Sequence, residues 1–144
     1  MEIRNSVVID RRVEDVWHRA TDLESWPEWN SQLVTTEVIS EGPVRPGTKY
    51  RYTARAMGRN TEHESEITQF DPPRRICFRT PAGAMPLEGC YVFEAQDGGT
   101  LVTISAEGTV KGVLRFAEPI IERLANRMWK ANLGRLRDDL EAST

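Results

Sequence analysis

Among the side chains of this 144-residue sequence that could move a proton or hold a ligand oxygen, Tyr50, Tyr52, His63 and Ser65 stand together in one short stretch. Histidine is the side chain that normally titrates near neutral pH, so His63 is the candidate for proton transfer. Its other role would be that of a hydrogen-bonded histidine on a half-buried strand. Ser65 has no evident histidine and acid to make it a nucleophile, which leaves it hydrogen-bonding a ligand or the backbone. Tyrosine hydroxyls on apolar rings suit either the orientation of a ligand oxygen or a paired, structural hydroxyl. The two histidines, His18 and His63, fall on different elements and lack the spacing of a zinc site. No glycine-rich loop links a strand to a helix, so nucleotide binding has no support. Neither a metal nor a cofactor is expected.

A hairpin must position these groups. With Gly58-Arg59 as a two-residue turn of the Gly-first type, Arg55 faces Glu62, Thr53 faces Glu64, Arg51 faces Glu66 and Lys49 faces Thr68. Opposite charges then meet across the strands on one face, making Glu62, Glu64 and Glu66 a solvated outer ladder. Tyr50, Tyr52 and Ala54 share the other face with His63, Ser65 and Ile67. A plain core would hold more Val, Ile and Leu, so this mixed face points to a pocket.

The remaining elements follow from periodicity. A strand over 3–10 precedes a short helix over 10–21, with Val13, Val16, Trp17 and Ala20 at helical spacing. Trp26-Pro27-Glu28-Trp29 is a loop or a second short helix with Pro near its start. Strands are predicted over 32–41, 47–57, 60–70, 74–81, 86–96 and 100–110, the last after a turn at Asp97-Gly98. Residues 114–141 keep a helical period, about 40 Å of helix at 1.5 Å per residue. Ile120, Ile121, Leu124 and Met128 form one apolar stripe, and Ala125, Trp129, Leu136 and Leu140 an adjacent one. Pro119 should start or bend that helix. Arg123, Arg127, Lys130 and Arg137 gather on one side of that helix, as an exposed cationic face or a site for an anionic partner or membrane surface. The architecture is α+β: an antiparallel sheet curled around the C-terminal helix, in the order β-α-α-β6-α, as one domain over 1–144.

Register carries the inner face from strand to strand. A tight Asp71-Pro72-Pro73-Arg74 connection puts Ile67 near Phe78. A turn over Pro81–Pro86, centred near Gly83, puts Phe78 opposite Gly89 and Ile76 opposite Tyr91. The predicted cavity is therefore walled by Tyr50, Tyr52, Phe78, Tyr91, Phe93, Ile104 and part of the helix, including Leu124 and Met128. Ser65, Ile67 and Thr80 complete the inner face, and Trp26 and Trp29 serve as a lid or wall, or as a staple for the short helices. No carboxylate points inward, which argues against a glycosidase-type pair.

Composition excludes other classes. A net charge of −3 and an isoelectric point near 5.5 argue against nucleic acid as a partner. No apolar run reaches the roughly 18 residues of a membrane span, and no signal-peptide pattern opens the chain, so a cytoplasmic protein is expected. The same register sets Cys77 opposite Cys90 and Arg79 opposite Glu88. In a reducing compartment the two cysteines are read as free thiols.

The element order, the Trp-Pro-x-Trp segment and the long closing helix resemble the START-like, or SRPBCC, superfamily. Asp22 to Trp29, the Asp71-Pro72-Pro73-Arg74-Arg75 connection and Gly98-Gly99-Thr100 look like its polyketide cyclase/dehydrase branch. The resemblance implies the helix-grip (Bet v 1/START-like) fold, with a deep cavity between sheet and helix that takes lipids, polyketides, hormones or aromatic compounds. Trp26 and Ser65 match the aromatase/cyclases of that branch. Ile67 stands where they carry an arginine and Leu33 where they carry a tyrosine. The missing guanidinium is the group best suited to hold a developing enolate or phenolate, so their mechanism does not carry over.

The leading expectation is thus a binder of a hydrophobic small molecule. The second is a cyclase or dehydratase in which His63 moves a proton in an enforced substrate fold. A third is a docking module, with Trp129 and the cationic helix at a homodimer or other protein contact. Trp129 either covers the sheet or meets a second copy.

Overall fold

Alternating apolar and polar residues, broken by Gly, Pro and Asp at the turns, give seven strands in the computed structural model, which describes residues 1–56, 58–81 and 86–142. Strand β1 (Glu2–Ile9) leads into helix α1 (Val13–Ala20) and a 3₁₀ segment over Leu23–Glu28. Then come β2 (Leu33–Val38), β3 (Lys49–Ala56), β4 (Arg59–Asp71), β5 (Arg75–Thr80), β6 (Leu87–Gln96) and β7 (Gly99–Gly108). A second 3₁₀ segment, Gly112–Ala117, precedes helix α2 (Glu118–Ala142). The strands form one sheet in the order β1-β7-β6-β5-β4-β3-β2, every neighbour antiparallel.

Most of the expected register holds. Ile67 pairs with Phe78, Phe78 with Gly89, Ile76 with Tyr91, and Gln96 with Gly99 around the Asp97-Gly98 turn. The first hairpin differs. Ala56 pairs with Arg59, so Arg59 belongs to the ladder, and Gly58 (φ +74°) takes the second turn position instead of the first. The pairs are therefore Lys49 with Glu66, Arg51 with Glu64 and Thr53 with Glu62, displaced by two residues from the expected set. An even displacement leaves every side chain on its expected face. Tyr50 now faces Ser65 directly and Tyr52 faces His63. The turn expected around Gly83 lies outside the described residues.

The cysteines need a second correction. Cys77 and Cys90 are joined in a disulfide instead of remaining free thiols, because their paired register brings the Cα atoms to 4.0 Å. That spacing belongs to the closer, non-hydrogen-bonded kind of antiparallel pair. The Nε and Nη2 of Arg75 lie 3.4 Å from the two sulfurs.

Pro27 lies near the end of its 3₁₀ segment, not its start. Pro119 sits in the first turn of α2, where its missing N–H removes no intrahelical bond. The core gathers where α1 and the C-terminal half of α2 meet the sheet: Val16 and Trp17 pack with Phe93, Leu133, Leu136 and Leu140 in one buried cluster. Trp17 meets Phe93 edge to face at 5.2 Å. Polar side chains fasten α2 along β1. Glu122 Oε2 accepts the Glu2 amide at 2.8 Å, and Asn126 Oδ1 accepts that of Arg4 at 3.0 Å while its Nδ2 donates to the Glu2 carbonyl. Asn132, fully buried, donates to Gln32 Oε1 at 2.6 Å and accepts from the Ser31 amide at 3.2 Å. On the far side of the sheet, Glu24 Oε2 accepts the Val38 amide at 3.1 Å.

Candidate functional site

Where the sheet curls away from the N-terminal half of α2, a cavity of about 550 Å³ opens. This lies within the usual range for small-molecule sites. The sheet contributes Tyr50, Tyr52, Phe78, Thr80 and Tyr91, the 3₁₀ segment Trp26, and the helix Ile121, Leu124, Ala125, Met128 and Trp129. Trp26 donates its indole N–H to the Ala20 carbonyl at 2.7 Å, which ties the 3₁₀ segment to the end of α1. Its ring then stands edge-on to Tyr50 at 5.6 Å. Trp129 stacks on Phe78 at 6.4 Å with 13° between planes and touches Tyr91 at 6.0 Å. Trp129 therefore covers the sheet.

A chain of hydroxyls runs from the wall into the sheet. Ser65 Oγ donates to the Arg79 carbonyl at 2.8 Å, and Thr80 Oγ1 donates to Ser65 Oγ at 3.0 Å. With the Thr80 proton so committed, Tyr52 donates to Thr80 Oγ1 across 3.3 Å. Burial raises the pKa of Tyr50, with a hydrogen bond to Ser65 pulling the other way and Tyr52 adding repulsion. It raises Tyr52 too, offset in part by Thr80. Tyr91 is held well above the ordinary phenol value by burial and then by Tyr50. All three are neutral hydrogen-bonding groups at neutral pH. None can act as a base there.

Of the residues expected in the site, Trp26, Tyr50, Tyr52, Phe78, Thr80, Tyr91, Leu124 and Met128 line this cavity. The others stand behind it. Phe93 and Ile104 face inward but are covered by the core around Trp17. Ile67 is fully buried, and Trp29 lies behind Trp26 and Tyr91, its Nε1 without a hydrogen-bond partner among the described residues. Ser65 stands behind the wall, bonded to Thr80 and Tyr50 of the lining. His63, the expected proton carrier, is not on the wall. Its ring stacks on Tyr52 at 5.1 Å and its Nε2 bonds Thr61 Oγ1 at 2.8 Å.

Ile3, Asn30, Gln32, Leu87 and Arg55 also line the cavity, and sequence reasoning does not find them. Strand alternation puts Arg55 on the outer face. It lies at the rim, where the Leu33–Thr35 register shift disturbs β2 beside it and the Gln32 carbonyl takes its amide at 2.8 Å. Leu33 is in the wall as well. Among the described residues no Asp, Glu, His or Cys lines the cavity, and no cluster of such residues could hold a metal. A larger recess of about 980 Å³ on the other side of the sheet, lined by residues such as Arg75, Arg79, Glu88 and Glu107, is open and polar. The enclosing aromatic wall belongs to the smaller cavity.

A seven-stranded antiparallel sheet gripping a long C-terminal helix, with a cavity between them, defines the START-like helix-grip class. Solved structures agree. A protein from Thermus thermophilus superposes with a TM-score of 0.86 at 24% identity, covering 100% of this chain and 99% of its own. A START superfamily protein from Mycobacterium smegmatis gives 0.84 at 16%, covering 99% of each chain. The ZhuI aromatase/cyclase from Streptomyces sp. R1128 gives 0.79 at 16%, covering 98% of this chain and 93% of its own. Within that class, the chain belongs to the family described as polyketide cyclase / dehydrase and lipid transport, whose model matches residues 1–141. No curated protein matches the sequence.

Proposed function

We propose that this protein binds a hydrophobic small molecule, cyclic or lipid-like, in the cavity between sheet and α2. The observation that carries this reading is the lining itself: an aromatic and aliphatic wall whose polar groups are neutral hydroxyls and amides, with one guanidinium residue at the rim. Apolar burial would supply most of the affinity, at about 25 cal/mol per Å² before ordering costs. Tyr91 is buried, lines the cavity and has no hydrogen-bond partner for its hydroxyl among the described residues, so it would meet a ligand oxygen. The family's description, which joins cyclisation to lipid transport, supports both a binder and an enzyme. Binding is favoured because His63, the proton carrier a cyclase or dehydratase would need here, is absent from the wall.

Native mass spectrometry of the purified protein, with extraction of bound material under denaturing conditions, tests the reading together with titration of anilinonaphthalene sulfonate. A stoichiometric hydrophobe, or saturable one-site probe binding that Trp129→Ala weakens roughly tenfold, is expected. Probe binding that is unsaturable, or unchanged in Trp129→Ala, would overturn it.

A further inference from the structure

Six apolar side chains stand in water at one end of the molecule. Val113 and Phe116 are 83% and 80% exposed, Ile120 and Leu114 64% and 54%, and Leu124 and Met128 50% and 42%. They run from the second 3₁₀ segment into the first turns of α2, where Ile120, Leu124 and Met128 follow one another at i, i+4 along one face. Single exposed leucines are ordinary, but a continuous run of this kind marks a contact surface. Leu124 and Met128 also line the cavity, so the patch continues into its mouth.

The charges beside it are one-sided. The same stretch carries Lys111, Arg115, Arg123, Arg127 and Lys130 against Glu118 and Glu122, in a chain whose net charge is −3. Both carboxylates are engaged at Met1 and Glu2. Glu118 lies 3.6 Å from the N-terminal ammonium, and Glu122 accepts the Glu2 amide. None of the five cations joins an ion pair among the described residues. Arg115 lies 5.4 Å above the Phe116 ring.

We propose that this end of the molecule docks on an anionic lipid surface, with its apolar side chains in the headgroup boundary, its cations on lipid phosphates, and the cavity mouth facing the bilayer. Exposed large apolar groups flanked by unpaired Lys and Arg are the composition that binds such interfaces. A second copy fits less well. A two-fold contact sets a patch against itself, which would bring the five cations together while both nearby carboxylates are already held by Met1 and Glu2. The docking surface does not depend on what occupies the cavity.

Co-sedimentation of the full chain with phosphatidylcholine vesicles, with and without phosphatidylglycerol, tests the proposal. Binding is expected to be roughly tenfold or more tighter on the anionic vesicles and to weaken as salt is added. Arg123→Glu combined with Arg127→Glu should weaken it roughly tenfold or more, and Phe116→Asp should do likewise. All three positions are exposed, and both variants should keep the parent's near-ultraviolet circular dichroism and cooperative thermal unfolding, which shows that they are folded. Equal binding to both kinds of vesicle, or variants that bind like the parent, would overturn the proposal. So would a dimer in solution that Phe116→Asp disperses. Failure of the parent protein to take up anilinonaphthalene sulfonate without vesicles counts against the ligand-binding reading instead, and leaves the docking result standing.

Discussion

Leu136 and Leu124 lie roughly three turns apart on helix α2, yet Leu136 is fully buried against the α1 core while Leu124 is half in water at the cavity mouth. The two halves of the helix carry similar apolar residues and differ in what stands opposite them. The C-terminal half meets Trp17 and its neighbours. The N-terminal half meets an opening and is fastened to β1 through Glu122 and Asn126. Stability is thus concentrated at one end of the helix and surface for ligands at the other, a division expected where binding regions come from the less tightly packed parts of a fold.

The comparison breaks most directly at its two leucines. Leu136→Ala should lower the unfolding free energy by about 2–5 kcal/mol, from lost burial and the cavity left behind. Leu124→Ala should stay within about 1 kcal/mol. Denaturant titration measures both, and similar losses would mean that the two halves are not distinct. A smaller loss, about 1–3 kcal/mol, is expected for Asn132→Ala, which leaves Gln32 Oε1 and the Ser31 amide without their buried partner. Because Asn132 also holds Gln32 of the cavity wall, probe affinity in that variant should fall together with stability.

The smallest effect concerns pH and marks the cavity half. Tyr50, Tyr52 and Tyr91 are all raised above the ordinary phenol value of about 10 by burial. As pH climbs past that value the unfolded chain releases these protons first, so the native state binds more protons and unfolding is favoured. Their contribution is complete below about pH 10 and is lost as pH rises towards the folded-state values. Thermal unfolding followed from neutral to alkaline pH should show that fall, and Tyr91→Phe should make it shallower. A stability that rose through this range would contradict the burial of the phenols.

Much of the inner face is legible in the sequence because strand alternation is binary and the hairpin error is even. Displacing the β3–β4 pairs by two residues changes every partner and no face. What alternation cannot say is whether a helix or a space will cover each inward residue. Phe93 and Tyr91 lie on the same strand and the same face, but Phe93 meets Trp17 and Tyr91 lines the cavity. Asn30, Gln32 and Arg55 escape for another reason: they sit at strand ends, where a register shift and irregular backbone override alternation. The disulfide is missed although its register is found. Opposition across a ladder follows from sequence, whereas oxidation follows from surroundings.

The side chains that fasten β1 and β2 also bear on how separate molecules meet. A sheet that ends in free amides and carbonyls is a template on which another chain can add a strand. Here both outermost strands have backbone amides occupied: Glu122 and Asn126 take those of Glu2 and Arg4, and Glu24 takes that of Val38. The carboxylates and the amide thus stand in for the next strand at each side of the sheet. With α2 lying along β1 and the 3₁₀ segment along β2, these contacts leave less of either edge open to intermolecular β-pairing.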